Sequence, residues 1–267
     1  MKLYTHVERV ERELISQGLE SGPLKTEQLT AFDQLHYGGV DAVDEAIASL
    51  GLTRGDQVLD VGAGLGGPAR HIADNVGCSV TAVELQTDLN TLGEQLTDRC
   101  GLSENITHQV GDILTTPLPE NGFDALVSWL TFLHIPQRRA LFQRCHSALK
   151  MGGGLFIEDF VAKHPIDAET QKTLEQEVYC HYLPTPSTYQ NDLKACGFSS
   201  LQMEDMSESW TGFVIKRLSD FRARSDQFIN RHGQPTYDAL NQFYSTIVDL
   251  FRSEVIGGVR ILGVADR

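Results

Sequence analysis

Three acidic residues and a run of glycines are spaced so that together they can hold a charged small molecule. Asp60 stands two residues before Gly62 in "LDVGAGLGGPAR" (59–70), Glu84 closes the next apolar run, and Asp112 sits in "GDI" (111–113). The glycines satisfy two patterns. Read as Gly62-x-Gly64-x-x-Gly67, the loop has the spacing that cradles a pyrophosphate. Read as Asp60-x-Gly62-x-Gly64-x-Gly66, it sets a carboxylate where a pyrophosphate is repelled and an ammonium or sulfonium attracted. Glu84 is placed to accept hydrogen bonds from both hydroxyls of a ribose, which suits NAD and S-adenosylmethionine equally. Asp112 offers an acceptor for an exocyclic amine beside Ile113, an apolar wall for an adenine ring. Taken singly, each is ordinary turn chemistry. As an ordered series at successive strand ends they favour S-adenosylmethionine over a dinucleotide, with Ala63 inside the loop and Leu85 beside Glu84 as neighbouring contacts.

The elements that must position these residues follow from periodicity. From Asp56 onward, short apolar runs alternate with helical segments. "QVLDVG", "SVTAVEL", "ITHQVGD", "FDALVSW" and "GLFIEDF" read as strands, with a helix opening at Pro68 and another, "RRALFQRCHSALK", closed by the glycines at 152–154. Alternation of this kind predicts an α/β, Rossmann-like, mostly parallel sheet with helices on both faces. Helices at about 6–17 and 40–50 precede it. After Phe160 come a helical stretch at 161–183, a capped helix in "PTPSTYQNDLKACGF", a sixth strand in "LQMEDMS", helices at about 210–231 and 236–254, and "VRILGVADR" as a seventh strand at the sheet edge. The expected organisation is an N-terminal helical cover (1–50), a cofactor-binding core (51–160), a substrate cover containing strand 6 (161–255) and a terminal strand of the core sheet (256–267). The covers would close over the C-terminal edge of the sheet, where doubly wound folds bind ligands.

Composition narrows the partners. The net charge of −14 argues against nucleic acid, since holding phosphates needs a basic surface. The basic clusters "QRRALFQRCH" and "FRARSDQFINR" read as solvated helix faces, although Arg70, Arg138 and Arg139 are also candidates to pair with a substrate anion. No run approaches the roughly 20 apolar residues of a membrane span, and "MKLYTHVERVEREL" has no apolar signal region. Five cysteines without a CxxC pair fit reduced thiols in a cytoplasmic protein and offer no zinc site. The expected partner is a small molecule.

Residues 55–160 resemble the class I S-adenosylmethionine-dependent methyltransferases. Within that class they are most similar to the small-molecule N-methyltransferases acting on sarcosine, dimethylglycine and phosphoethanolamine. The resemblance is carried by "LDVGAGLGGPARHIA", "GLSENITHQVGDIL", "PENGFDALVSWLTFLHIP" and "LFQRCHSALKMGGGLFIEDF". It implies that "LHYGG" (35–39) folds over the methionine end of the cofactor, making His36 and Tyr37 candidate contacts. One departure stands out: the family commonly has an aspartate four residues before the histidine of "FLHIP", and here that position is Leu130.

Methyl transfer is an in-line displacement that needs alignment, plus a base when the nucleophile arrives protonated. His134 is the candidate base, with a helix-capping role as the structural alternative; the remaining histidines have no comparable context. Tyr37, Trp129, Tyr179, Tyr182 and Trp210 are candidates to cage a methylated cation. For any one of them core packing is the competing explanation, least so for Trp129, which closes strand 4 beside the cofactor. The expected activity is transfer of a methyl group to a small amine of the methylated-glycine or ethanolamine type. A thioether or hydroxyl acceptor remains open, as does a degenerate cofactor-binding subunit without activity.

Overall fold

The computed structural model describes residues 7–266. Seven strands, β1 (Gln57–Val61), β2 (Ser79–Glu84), β3 (Ile106–Val110), β4 (Phe123–Trp129), β5 (Leu149–Ala162), β6 (Phe198–Asp205) and β7 (Ile256–Ala265), form one sheet in the order β3-β2-β1-β4-β5-β7-β6. β1 to β5 run parallel, and β7 is antiparallel to both its neighbours. Helices α1 (Glu8–Ser16), α2 (Thr30–Asp33) and α3 (Val40–Leu50) precede the sheet, and α4 (Gly67–Val76), α5 (Thr87–Arg99) and α6 (Arg138–Ala148) make its crossovers. The later helices are α7 (Ala168–Glu177), α8 (Pro186–Ala195), α9 (Ser207–Ala223), α10 (Ser225–His232) and α11 (Gln234–Arg252).

Strands covered on both faces must be apolar throughout. Accordingly β4 buries six of its seven residues, and Leu59, Leu126 and Leu155 on three neighbouring strands pack in one cluster with α6 and α8. On the other face Ala69, Ile72 and Ala73 of α4 meet Val58 and Val80, with Val43 of α3 against them. α7, α9 and α11 pack with the ends of β5 and β7 around Phe160, Trp210, Val214 and Phe251.

Four expectations need correction. The helix of 138–150 is not closed by glycines 152–154; it ends at Ala148 because Leu149 pairs with Phe123 and is drawn into the sheet. β5 then runs on to Ala162, since β7 supplies a partner from Gly154 to the strand's end. That shortens the helical stretch of 161–183 to α7, which starts where the Asp167 carboxylate accepts the Thr170 N–H at 2.7 Å. The long helix of 210–231 is broken at Arg224, which lets Phe221 meet Phe228 and Tyr237 at 4.9 and 5.0 Å. The terminal strand sits one place in from the edge rather than at it. β7 is mostly buried, whereas β6 alternates half-buried and exposed residues after Phe198 and takes the edge. The first helix begins at Glu8; residue 6 of the expected helix lies outside the described residues. Among the described residues no helix is long and apolar enough to cross a membrane.

A buried ion pair helps to pin the N-terminal cover. Arg70 of α4, wholly buried, donates to Asp33 of α2 at 2.9 Å, to the Gly93 carbonyl and to Thr97 Oγ1. Arg70 is therefore a structural anchor for the segment leading to "LHYGG", and its donors do not face a ligand.

Candidate functional site

A cleft lies at the C-terminal ends of β1 to β4, under the 33–36 segment. Its floor is the turn after β1. Gly62 and Gly64 adopt φ of 78° and 56°, in the left-handed region that disfavours side chains. A Cβ on Gly62 would collide with Thr131, so the turn lies directly against the segment that follows β4. Gly67 serves the packing instead. A Cβ there would strike the Asp33 carbonyl, so this glycine lets the N-terminal cover close onto α4. The pyrophosphate-type spacing is thus a packing coincidence, and of this loop's glycines Gly62 and Gly64 line the cleft.

The carboxylates differ in how they are satisfied. Glu84 accepts the Gly64 N–H at 2.9 Å on Oε2 and the Gln86 N–H at 2.8 Å on Oε1, tying the β1 and β2 ends together. Asp112 accepts the Leu114 N–H at 2.9 Å and is exposed. Asp60 is 1% exposed, and its Oδ2 has no hydrogen-bond partner. Burial, with Glu84 nearby, pushes its pKa up to about 8. Across the cleft, Trp129 Nε1 is likewise buried and unpartnered, while its ring stacks on His36 at 5.2 Å. An unmet acceptor and an unmet donor in one cleft fit the ammonium and carboxylate of an amino-acid group.

His134 closes the 3-10 turn Phe132–His134. Its Nδ1–H donates to the Tyr179 carbonyl at 3.3 Å, because a carbonyl can only accept, and Nε2 is left with the free lone pair. Burial pulls its pKa down to about 4, so the ring is neutral at ordinary pH. The turn itself is held by Asp159 of β5: Oδ1 accepts the Leu133 N–H at 3.1 Å, while Oδ2 accepts from Tyr189 at 3.1 Å and Arg138 at 3.2 Å. Arg138 thus pairs with Asp159 through Nη1, with Nε and Nη2 buried and unpartnered, whereas Arg139 is exposed.

The cleft brings together His36, Asp60, Gly62, Ala63, Gly64, Glu84, Leu85, Asp112, Ile113, Trp129 and His134. Tyr37, Tyr179, Tyr182 and Trp210 do not line it. Tyr37 and Trp210 are buried against each other at 5.0 Å in the core beneath the covers. The expected cage of these five aromatics does not form; of them only Tyr37 faces a cation among the described residues, and it is the chain's own, the Arg217 guanidinium, 4.9 Å from the Tyr37 ring and 4.6 Å from that of Tyr244. Tyr179 and Tyr182 are at the surface, the former near His134 only through its carbonyl. Sequence reasoning did not assign Leu114, Thr131, Ile135 and Gln137 to the cleft. Thr131 and Ile135 flank the singled-out "FLH", which was the available signal; for Gln137 there was none.

A parallel sheet with a glycine turn after β1 and acidic side chains at the ends of β1 and β2 is the arrangement of a nucleoside-cofactor fold. Comparison with known proteins bears on the fold and the class. Residues 58–153 match the family described as "Methyltransferase domain". The phosphoethanolamine N-methyltransferase of Plasmodium falciparum is 27% identical over 212 residues, covering 78% of each chain. Phosphoethanolamine N-methyltransferase 1 of Arabidopsis thaliana is 30% identical over 220 residues, 82% of this chain but 44% of that protein, so this chain spans less than half of its length. Among solved structures, the Haemonchus contortus phosphoethanolamine N-methyltransferase 2, bound to phosphomonomethylethanolamine and S-adenosylhomocysteine, superposes with a TM-score of 0.82 at 22% identity over 90% of this chain and 56% of that one. At that identity the superposition is a statement about fold.

Proposed function

We propose that this chain transfers a methyl group from S-adenosylmethionine to a small amine. The observation that carries the reading is the sharing of one cleft by Asp60, with its unpartnered buried carboxylate oxygen, and His134, whose tautomer leaves Nε2 free. In this reading Asp60 holds the amino-acid ammonium of the cofactor, with Gly62, Ala63 and Gly64 lining its path. Glu84 takes the ribose hydroxyls, and Asp112 and Ile113 take the adenine. His36 and Trp129 cover the methionine end. When bound, the cofactor supplies an electrophilic methyl group.

His134 handles the acceptor. An amine enters largely as an ammonium, which has no lone pair until a proton leaves. With a pKa near 4 the imidazole is too weak a base to keep that proton at neutral pH. The amine therefore gives its proton to solvent, and His134 Nε2 serves as the hydrogen-bond acceptor from the neutral amine N–H that turns its lone pair toward the methyl carbon. Mass spectrometry of a metabolite mixture incubated with the chain and labelled S-adenosylmethionine identifies the product. His134→Ala is expected to lower turnover roughly 10²–10⁴-fold while leaving adenosylhomocysteine affinity within a few fold. Near-wild-type turnover in that variant counts against an amine and in favour of a thioether, which needs no proton removed.

A further inference from the structure

The cleft is unusual in its charge. Among the described residues lining it, Asp33, Asp60, Glu84 and Asp112 are acidic and not one is lysine or arginine. Two guanidiniums lie in the body of the protein nearby: Arg70 is bound to Asp33, and Arg138 donates through Nη1 to Asp159 while its Nε and Nη2 are buried without partners; neither lines the cleft. The histidines offer no positive charge either. His36 donates Nε2–H to the Gly39 carbonyl at 3.0 Å, and burial holds both it and His134 neutral at ordinary pH. Around His134 the walls are apolar, from Leu114, Leu130 and Ile135, with Thr131 and Gln137 as uncharged polar groups.

From this lining we infer that the acceptor is an amine carrying no phosphate or carboxylate, its non-reacting part uncharged and largely apolar. The inference rests on the methyl-transfer reading and deepens it. A phosphate taken into this cleft would lose water without meeting a cation among the lining residues. Burying an ion without a partner costs several kcal/mol, which is at least about a hundredfold in binding. The chain therefore departs at its acceptor wall from the relatives named for phosphoethanolamine. Nothing in the cleft replaces the ionic partner that such a substrate requires.

The test compares matched pairs of acceptors, each amine with and without its anion: ethanolamine against phosphoethanolamine, and dimethylaminoethanol and a simple alkylmethylamine against their phosphate and carboxylate counterparts. Methylated product and adenosylhomocysteine are both quantified by mass spectrometry. Every anion-free member is expected to exceed its partner in kcat/KM by about 100-fold or more. Phosphoethanolamine or sarcosine turned over within tenfold of its partner, or better, overturns the inference. Product formed on an anion-free thioether or alcohol but on no amine overturns the amine reading while upholding the exclusion of anions. Calorimetry on the adenosylhomocysteine-loaded chain gives a readout that needs no turnover. Wild type is expected not to bind phosphoethanolamine at about 1 mM, whereas Gln137→Lys gains at least about tenfold in its affinity. Tight binding by the wild type overturns the inference.

Discussion

Two strand ends in this molecule each carry a buried aspartate, and they are treated in opposite ways. At the end of β5, Asp159 is wholly buried and meets three donors: a backbone N–H, a guanidinium and a phenol. Near the end of β1, Asp60 is equally buried, and one of its oxygens meets nothing. A buried charge without partners is a standing cost to the fold, and buried polar groups are normally satisfied. The satisfied carboxylate belongs to the scaffold, where it fixes the turn that bears His134. The unsatisfied one is free to accept from a ligand, and in the proposed reading it holds the cofactor's ammonium. The difference separates an architectural acid from a binding acid more sharply than burial or position in the sheet can.

That contrast can be broken by substitution, and the largest effect is expected at the scaffold end. Asp159→Ala strands the Arg138 guanidinium in the core and frees the Leu133 N–H, so it should destabilise the protein by about 3–5 kcal/mol. Denaturant unfolding measures this directly. A change below about 1 kcal/mol, the scale of an ordinary single hydrogen bond, would mean that the network does not hold the turn.

At the binding end the sign should reverse. The folded pKa of Asp60, about 8, lies above its ordinary value of 3.8, so between those limits the folded protein holds a proton that the unfolded chain has released. Stability contributed by this group is full below the ordinary value and lost as pH rises toward 8. Asp60→Asn removes the loss and should raise the Tm measured at pH 8 or above. The same change should weaken adenosylmethionine binding, by about 1.5–3 kcal/mol for one charge-assisted hydrogen bond. Because a bound cation pulls the carboxyl pKa down, wild-type binding releases a proton. Affinity should therefore climb from pH 6 to pH 8, by at most about tenfold per unit, and then level off, while in Asp60→Asn this dependence disappears. Isothermal calorimetry across that range checks both.

The smallest effect sharpens the boundary of the site. Tyr182 is at the surface and outside the cleft, so Tyr182→Ala should shift stability by no more than about 0.5 kcal/mol and leave acceptor KM within twofold. A large rise in KM would draw the acceptor cover further out than the cleft itself.

The cofactor half of this protein was legible in its sequence because its parts are local. Gly62 and Gly64 must be glycine for backbone conformation, and Asp60 and Glu84 close their own strands, so short stretches carry their meaning intact. The succession of strands and helices was equally readable, since each apolar run reports its own burial. Tertiary structure decided everything that depends on what comes from far along the chain. Arg70 looked available for an anion until Asp33, 37 positions away, was found to hold it, and Arg138 likewise until Asp159 did. Tyr37 was a candidate to face a bound cation, and only packing revealed that its cation is Arg217, shared with Tyr244. The place of β7 between β5 and β6 was likewise a matter of long-range pairing. A charged side chain carries its chemistry in its name, but whether that charge is spent inside the fold or offered to a ligand is determined by its neighbours in space.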